Sequence, residues 1–167
     1  MGLDMYLSAR KYVEKIDWQK MHQFDNLDFD SAVSLSKLPE FDTVVEAAGL
    51  SDVATDIYGA SVSVTALYWR KVNAIHNWFV TNVQGGEDNC GEYYVSHEQL
   101  DELFNLCTEA YATKNPSLLE PVGGFFFGST DIDEWYWHGI KNTIDGIKKI
   151  KKHKDYDRLS FYYSSSW

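Results

Sequence analysis

Residues 158–167 read RLSFYYSSSW, a run of aromatic and hydroxyl side chains that is typical of a β-strand. The opening residues, 1–13, have the same character in another form, since apolar Leu3, Met5 and Leu7 fall at every second position. Pairing of these two segments would tie both ends of the chain into one sheet. The sequence therefore predicts a fold that is built around a sheet containing both terminal segments.

The stretch YYVSHEQL carries a specific helix start signal. Ser96 and Gln99 have the spacing of a capping box, and Val95 and Leu100 have the spacing of a hydrophobic staple. A helix is therefore expected from about residue 97, and Pro116 limits its length. Its predicted apolar face consists of Leu100, Leu103, Phe104, Cys107 and Tyr111.

The stretch GGFFFGSTDIDEW, residues 123–135, predicts a short apolar strand between glycines and then a helix of about 20 residues that Thr130 caps, with Asp133 three positions on. Carboxylates near its start and lysines near its end both suit the helix dipole. The same GST triplet is also compatible with an anion site, although Asp131 and Asp133 would repel a phosphate. The predicted buried side consists of Ile132, Trp135, Ile140, Ile144 and Ile147.

A third helix is predicted over residues 65–83, which include the stretch ALYWRKVNAIHNWFV. Its buried stripe follows helical spacing through Tyr68, Val72, Ile75 and Phe79. Polar and aromatic side chains converge on the neighbouring flank of the same helix: Trp69, Arg70, Asn73, His76 and Asn77. The glycines and polar residues of QGGEDNCG then end the helix.

These elements predict an α+β fold in a single domain, 1–167. A small, mainly antiparallel sheet formed by the two termini and the FFF segment packs against about three main helices. Residues 24–59 are acidic, with eight carboxylates against Lys37 alone and a net charge of −7. Within them a short helix is expected to open at Pro39 and to end at Gly49, while the rest has the weak periodicity of loops.

Composition narrows the class of protein. The 167 residues carry a net charge of −10, which argues against general binding to nucleic-acid backbones, since such binding needs clustered cations. No apolar run is long enough to span a membrane, and the first residues lack the pattern of a signal peptide. Cys90 and Cys107 lie far apart and are expected to be reduced thiols in a cytoplasmic protein.

The sequence contains no recognisable catalytic or metal-binding motif. The five histidines form no pair at helical spacing, and neither cysteine has a histidine neighbour that would activate it. The stretch GFFFGS does not match a nucleophile elbow, and no glycine-rich turn has the lysine of a phosphate-binding loop. The prediction includes no cofactor and no metal, and it favours a binding protein over an enzyme.

The flank of residues 66–80 is the best candidate for a binding site. Arg70 and Lys71 suit an anionic group, and Trp69 offers a stacking face. Asn73, His76 and Asn77 supply hydrogen bonds to a ligand. The alternative interpretation leaves Trp69 in the core, pairs Arg70 with an acid of residues 24–59 and leaves the asparagines solvated.

A second aromatic cluster, DEWYW, follows in the predicted helix near the C-terminus. Trp137 falls off the buried stripe of that helix, beside His138 and Lys141. An exposed indole there needs a pocket or a partner, so Trp137 joins the list of candidate ligand-binding residues.

Five blocks of the sequence, MGLDMYL, YWRKVNAIHNWFV, CGEYYVSHEQL, GGFFFGSTDIDEWYW and FYYSSSW, resemble in their order a family of uncharacterised bacteriophage and prophage proteins. The resemblance covers the first residues and most of the chain from Leu67 onward. It implies a small protein that is made in a bacterial cytoplasm during infection or lysogeny, and it implies no activity.

The resulting hypothesis is a non-enzymatic phage accessory protein that binds a nucleotide-like or other anionic small ligand and thereby counteracts a host defence signal. One alternative is an acidic inhibitor that mimics nucleic acid and occupies a basic site on a host protein. Another is a small hydrolase, which would turn the ligand over. The sequence predicts no oligomeric state.

Overall fold

The computed structural model describes residues 2–54 and 58–167 and has an α+β architecture. The described strands form one four-stranded antiparallel sheet in the order β2-β1-β4-β3. The strands are β1 (Asp4–Val13), β2 (Ala60–Arg70), β3 (Glu92–Val95) and β4 (Ser160–Ser166), and the α-helices are α1 (Trp18–Met21), α2 (Phe29–Leu35), α3 (Pro39–Ala47), α4 (Asn73–Asn82), α5 (His97–Thr113) and α6 (Glu134–Lys151).

The terminal strands β1 and β4 pair with each other, as the sequence predicts. Asp4 lies opposite Ser166 and Arg10 lies opposite Ser160 in an antiparallel register. Strand β3 pairs with the other side of β4, so that β1 and β4 are the two central strands. The sheet thus holds both ends of the chain in its middle.

The chain forms two compact units, of which the larger comprises Met1–Arg10 and Ser63–Trp167. Its core lies between one face of the sheet and helices α4, α5 and α6, because alternate residues of the strands point to that face. Burial of this apolar surface is the main source of its stability. The fully buried apolar side chains include Leu3, Met5, Leu7, Ile75, Phe79, Leu100, Leu103, Cys107, Ile140, Ile147, Phe161 and Tyr163.

The smaller unit, Lys11–Val62, contains the three short helices α1, α2 and α3. The helix predicted to open at Pro39 is confirmed, and it buries Phe41 and Val45 on one face. Helix α2, Phe29–Leu35, lies in the part of the acidic segment for which loops are predicted. Asp56 of that segment lies outside the described residues.

The helix predicted over residues 65–83 is wrong in its first part. Strand β2 continues to Arg70, and helix α4 begins only at Asn73. The β-branched and aromatic residues of ASVSVTALYWR favour an extended chain, and the pairing of β2 in the sheet outweighs the helical spacing that follows. Tyr68, which is predicted to be buried, is therefore an exposed strand residue.

The apolar strand predicted for the FFF segment is also wrong. Residues 125–127 form a turn that is outside the sheet, and the Phe125 side chain is 95% exposed. Gly128 follows with a φ of 89°, a left-handed conformation that glycine adopts without steric cost. The turn is tied to the larger unit, since the Leu3 N–H donates to the Phe126 carbonyl at 2.9 Å.

Helix α5 begins where the sequence predicts. The Ser96 hydroxyl oxygen accepts from the Gln99 N–H at 3.1 Å, and the Gln99 side-chain oxygen accepts from the Ser96 N–H at 2.9 Å. Val95 and Leu100, the predicted staple, are both fully buried. The capping box therefore fixes the start of the helix.

Helix α6 begins three residues later than predicted. Its N-cap is Asp133 rather than Thr130, because the Asp133 carboxylate accepts from the Tyr136 N–H at 3.0 Å. The predicted core residues Ile132 and Trp135 are exposed, since Ile132 precedes the helix and Trp135 lies off its buried stripe. The observed stripe consists of Tyr136, Ile140, Thr143 and Ile147. No helix in the described ranges is long and apolar enough to cross a membrane.

Candidate functional site

A cleft of about 560 Å³ opens in the larger unit where strand β2 ends and helix α4 begins. Its walls come from residues 68–74, from the loop before helix α6 and from the first turns of α6. The lining residues are Tyr68, Trp69, Arg70, Lys71, Val72, Asn73, Ala74, Gly128, Ser129, Asp131, Asp133, Trp135, Tyr136, His138, Gly139 and Asn142.

Lys71 stands at the junction between the strand and the helix, in a left-handed backbone conformation with φ of 57°. Non-glycine residues adopt this conformation at a steric cost, and it recurs at functional sites. The Lys71 N–H donates to the Leu3 carbonyl at 2.8 Å, and this bond holds the junction against strand β1.

Two glycines leave room for the aliphatic stem of Lys71. A Cβ added to Gly128 would lie 3.1 Å from the Lys71 Cβ, and one added to Gly2 would lie 3.0 Å from the Lys71 Cε. Within the described part of the chain, the Lys71 ammonium has neither a hydrogen bond nor an ion pair. The cleft thus has an unpaired cation on a closely packed stem.

Arg70 is paired, but with an acid other than the one considered in the sequence analysis. Its guanidinium donates to both oxygens of Asp4, at 3.0 and 3.2 Å, and Asp4 belongs to strand β1 rather than to the acidic segment 24–59. The Tyr68 hydroxyl donates to the same carboxylate. The Tyr68 hydroxyl and the negative charge of Asp4 raise the pKa of Arg70, and the bond to Asp4 raises the pKa of Tyr68.

Two carboxylates also line the cleft, and both are partly engaged. Asp131 accepts from the Ser129 hydroxyl at 2.7 Å, and Asp133 caps helix α6. Each of these carboxylates has a second oxygen that is able to accept a bond from a ligand. The cleft therefore combines cations with hydrogen-bond acceptors.

The aromatic wall is formed by a residue that the sequence analysis placed in the core. Trp135 is 79% exposed and lies beside the His138 ring, at a centroid distance of 6.3 Å. Trp69 is only 3% exposed, and its indole N–H donates to the Thr143 hydroxyl at 2.8 Å. Trp69 forms the floor of the cleft, and Trp135 offers the free ring face. Tyr136 is buried and has helical spacing to Ile140. That spacing is the sequence signal that could have identified its neighbour Trp135 as exposed.

Asn73 holds the edge of the cleft in place. Its side-chain NH₂ donates to the Ser129 carbonyl at 2.9 Å and to the Phe127 carbonyl at 3.3 Å, which fastens the loop before α6 to the first turn of α4. That first turn lines the cleft at Val72, Asn73 and Ala74, and it has no side-chain cap. Uncapped N–H groups at a helix start favour negative charge.

His76 lies away from the cleft and is fully buried. Its Nε2 lies 3.0 Å from a carboxylate oxygen of Asp88, and its Nδ1 lies 2.7 Å from the hydroxyl oxygen of Tyr163. Burial, together with the charge of Asp88, raises the pKa of Tyr163. The Trp167 indole N–H donates to the other oxygen of Asp88, at 3.1 Å, so His76 joins helix α4, the following turn and strand β4.

Some of the seven predicted site residues line the cleft and the others do not. Asn77 is half-buried in helix α4 and does not line the cleft, and Trp137 lines a neighbouring hollow. The polar flank therefore does not converge as a whole, because its first residues belong to a strand. The residues that do line the cleft are Trp69, Arg70, Lys71 and Asn73.

The remaining reactive groups either are buried or lie outside the cleft. Cys107 is buried, and burial raises the pKa of its thiol to about 12, while Cys90 is exposed; both are free thiols, as predicted. Tyr136 donates to the Leu119 carbonyl at 2.8 Å, and burial raises its pKa to about 12. Among the described residues, no group of three or more His, Cys, Asp or Glu side chains is arranged to hold a metal ion.

Comparisons of the chain with protein-family models, with curated proteins and with solved structures yield no match.

Proposed function

We propose that this protein binds a small ligand with an anionic group and a flat ring, such as a nucleotide, in the cleft between strand β2 and helix α6. The observation that carries the proposal is the unpaired Lys71 ammonium, which shares the cleft with the exposed Trp135 ring. A protein gains nothing in stability from an unpaired cation on a strained residue, so the arrangement suits a ligand better than it suits folding.

The charges of the cleft orient the ligand. The anionic group is placed at Lys71, near Arg70 and the uncapped first turn of α4, where the cations and the helix dipole favour it. Asp131 and Asp133 repel an anion, and they accept hydrogen bonds from N–H donors on the ring. Trp135, rather than Trp69, stacks on that ring, a contact that contributes about 1–3 kcal/mol in nucleic-acid systems.

Ligand binding of this kind fits the setting that the sequence resemblance implies. A phage protein that sequesters a nucleotide signal lowers its free concentration without any reaction. On this proposal the protein acts as a binding partner that counteracts a host defence signal, and the ligand is recovered unchanged.

Isothermal titration with a panel of linear and cyclic nucleotides tests the proposal. We expect at least one ligand to bind wild-type protein, and we expect the Lys71→Gly variant to bind it about tenfold or more weakly, since a hydrogen bond to a charged group contributes about 1.5–3 kcal/mol. Lys148→Ala, an exposed lysine that lies outside the cleft, is the matched control and should bind as wild type does.

Two results would overturn the proposal. One is the absence of binding at millimolar concentrations across the panel, and the other is equal binding by wild type and Lys71→Gly. Chromatography of the ligand after incubation separates binding from turnover, because a hydrolase would return products.

The second candidate function is inhibition of a basic host protein by the smaller unit. The unit Lys11–Val62 carries ten carboxylates and four lysines in the sequence, and exposed apolar side chains accompany that charge. These include Leu27, Phe29, Leu35, Leu50 and Val53. Acidic charge steers a basic partner, and apolar contacts then hold it.

Pull-down from host lysate at low and at high salt tests this second candidate. We expect a salt-sensitive protein partner that is lost when Asp28, Asp30, Glu40 and Asp42 are changed together to Asn or Gln. A partner that is retained by the neutralised variant would contradict the acidic mechanism.

A further inference from the structure

A second hollow, of about 370 Å³, lies between helices α5 and α6 in the larger unit. The rings of Tyr111 and Trp137 meet there at a centroid distance of 6.3 Å and an interplanar angle of 73°, so that they form two walls of a corner. The remaining lining residues are Lys114, Glu134, His138 and Lys141.

The ammonium of Lys114 occupies this corner. Its Nζ lies 3.7 Å from the centroid of the Tyr111 ring and 4.6 Å from the centroid of the Trp137 ring. Both distances are within the range at which a cation is attracted to the face of an aromatic ring. The protein thus shows, with its own side chain, which chemical group the corner accepts.

The attachment of Lys114 is weak. It is the C-cap of helix α5, it has a left-handed backbone with φ of 54°, and its side chain is exposed. Within the described residues, no carboxylate pairs with its ammonium. Among the described residues, the contacts of its ammonium are the two aromatic ring faces, and no ion pair holds the side chain in the corner.

The other walls of the hollow suit a cation. Glu134 supplies a carboxylate that has no hydrogen bond or ion pair in the described part of the chain. The nearby ammonium of Lys141 is paired with Asp145, which offsets its repulsion of an incoming cation. Two ring faces and one free carboxylate are the elements that recognise an alkylated ammonium.

We propose that the corner formed by Tyr111, Trp137 and Glu134 is a binding site for a methylated ammonium group, which takes the place of the Lys114 side chain. The group is carried either by a quaternary ammonium small molecule or by an N-methylated lysine of a partner protein. This inference does not depend on the nucleotide-binding proposal, since Lys71, Arg70 and Trp135 take no part in it.

Nuclear magnetic resonance of the tryptophan indole N–H groups provides the test, with tetramethylammonium as the first probe and tert-butanol as a neutral probe of similar shape. We expect tetramethylammonium to shift the Trp137 signal in a saturable manner and tert-butanol to leave it unchanged. A trimethyllysine peptide and its unmethylated form then distinguish a protein-borne group from a small molecule.

Variants of Lys114 sharpen the test. Lys114→Gly removes the resident ammonium and suits the positive φ, so tetramethylammonium should bind this variant about fivefold more tightly than wild type. Lys114→Arg keeps a cation in the corner and should bind as wild type does. Tyr111→Leu removes one ring of the corner but keeps the Trp137 reporter, so it should abolish the shift of the Trp137 signal, with circular dichroism confirming that the variant is folded.

Three outcomes would overturn the inference. Equal responses to tetramethylammonium and tert-butanol would show a merely apolar hollow. Absence of binding to Lys114→Gly would show that the corner is not a site, and tighter binding by Lys114→Arg than by Lys114→Gly would show that the resident side chain does not compete.

Discussion

The polar residues of the stretch 69–77 fall into two regions with opposite roles. At its start, Arg70 and Lys71 are exposed at the cleft, and the Lys71 ammonium has no hydrogen bond or ion pair among the described residues. Toward its end, His76 is fully buried and both of its ring nitrogens are bonded. Arg70 and His76 are both basic residues and lie six positions apart, yet the first is part of the surface and the second is part of the core.

The change from strand to helix along the chain at Lys71 causes this difference. Before Lys71, strand β2 places successive side chains on opposite faces of the sheet. After Lys71, helix α4 buries the side chains on one side of each turn. A polar residue that is buried must find partners within the fold, because an unsatisfied buried group costs about 1–3 kcal/mol. An exposed residue has no such requirement and remains available to a ligand.

Removal of the His76 ring should have the largest effect on stability. His76→Ala leaves a cavity in the core and deprives Asp88 and Tyr163 of a partner, so we expect a loss of about 4 kcal/mol in the free energy of unfolding. Urea denaturation measures it. Arg70→Ala is the comparison at the exposed end and should leave the free energy of unfolding unchanged, and a comparable loss from both variants would contradict the division.

Asn73 lies between the two regions and should show an intermediate effect. Asn73→Ala removes the bonds to the Phe127 and Ser129 carbonyls, and we expect a loss of about 2 kcal/mol in the free energy of unfolding. Asn77→Ala, on the same helix but outside the lining of the cleft, should cost less. Faster hydrogen exchange of residues 126–130 in Asn73→Ala would show that the edge of the cleft has loosened, whereas unchanged exchange would contradict the assigned role.

Lys71→Gly should have a small effect on stability, in the opposite direction to the losses at His76 and Asn73. Glycine adopts the positive φ without steric cost but gains entropy in the unfolded chain, so the net gain in the free energy of unfolding is roughly 0.5 kcal/mol. Calorimetry compares it with Lys71→Ala, which keeps a side chain at the strained position. A large loss in Lys71→Gly would show that the lysine serves folding rather than a ligand.

Local signals predicted much of the fold. The alternation of Leu3, Met5 and Leu7 and the capping box at Ser96 and Gln99 act within a few residues, and both are confirmed. The start of helix α4 was missed, because the spacing of Val72, Ile75 and Phe79 is helical whether or not the preceding residues are. The β-branched and aromatic residues of β2 favour a strand, and its pairing in the sheet, a long-range interaction, extends that strand to Arg70.

The candidate site was predictable only in part for the same reason. Arg70 and Lys71 were identified because a cation pair beside an indole is visible in the sequence. Trp135 was missed, since the predicted buried side included Ile132, which precedes α6, whereas the observed buried stripe begins at Tyr136. The internal partners of His76 come from Asp88 and Tyr163, and no sequence spacing indicates that these residues meet.

The strand order β2-β1-β4-β3 has a consequence for the speed of folding. No two neighbours in this sheet follow each other along the chain as a tight hairpin, and the central pair joins Asp4 to Ser166. Each pairing must close a long loop before it gains any interaction energy, which delays sheet formation relative to helices such as α5. Helices therefore form before the distant strands pair, and the apolar side of each helix is exposed to aggregation during that interval.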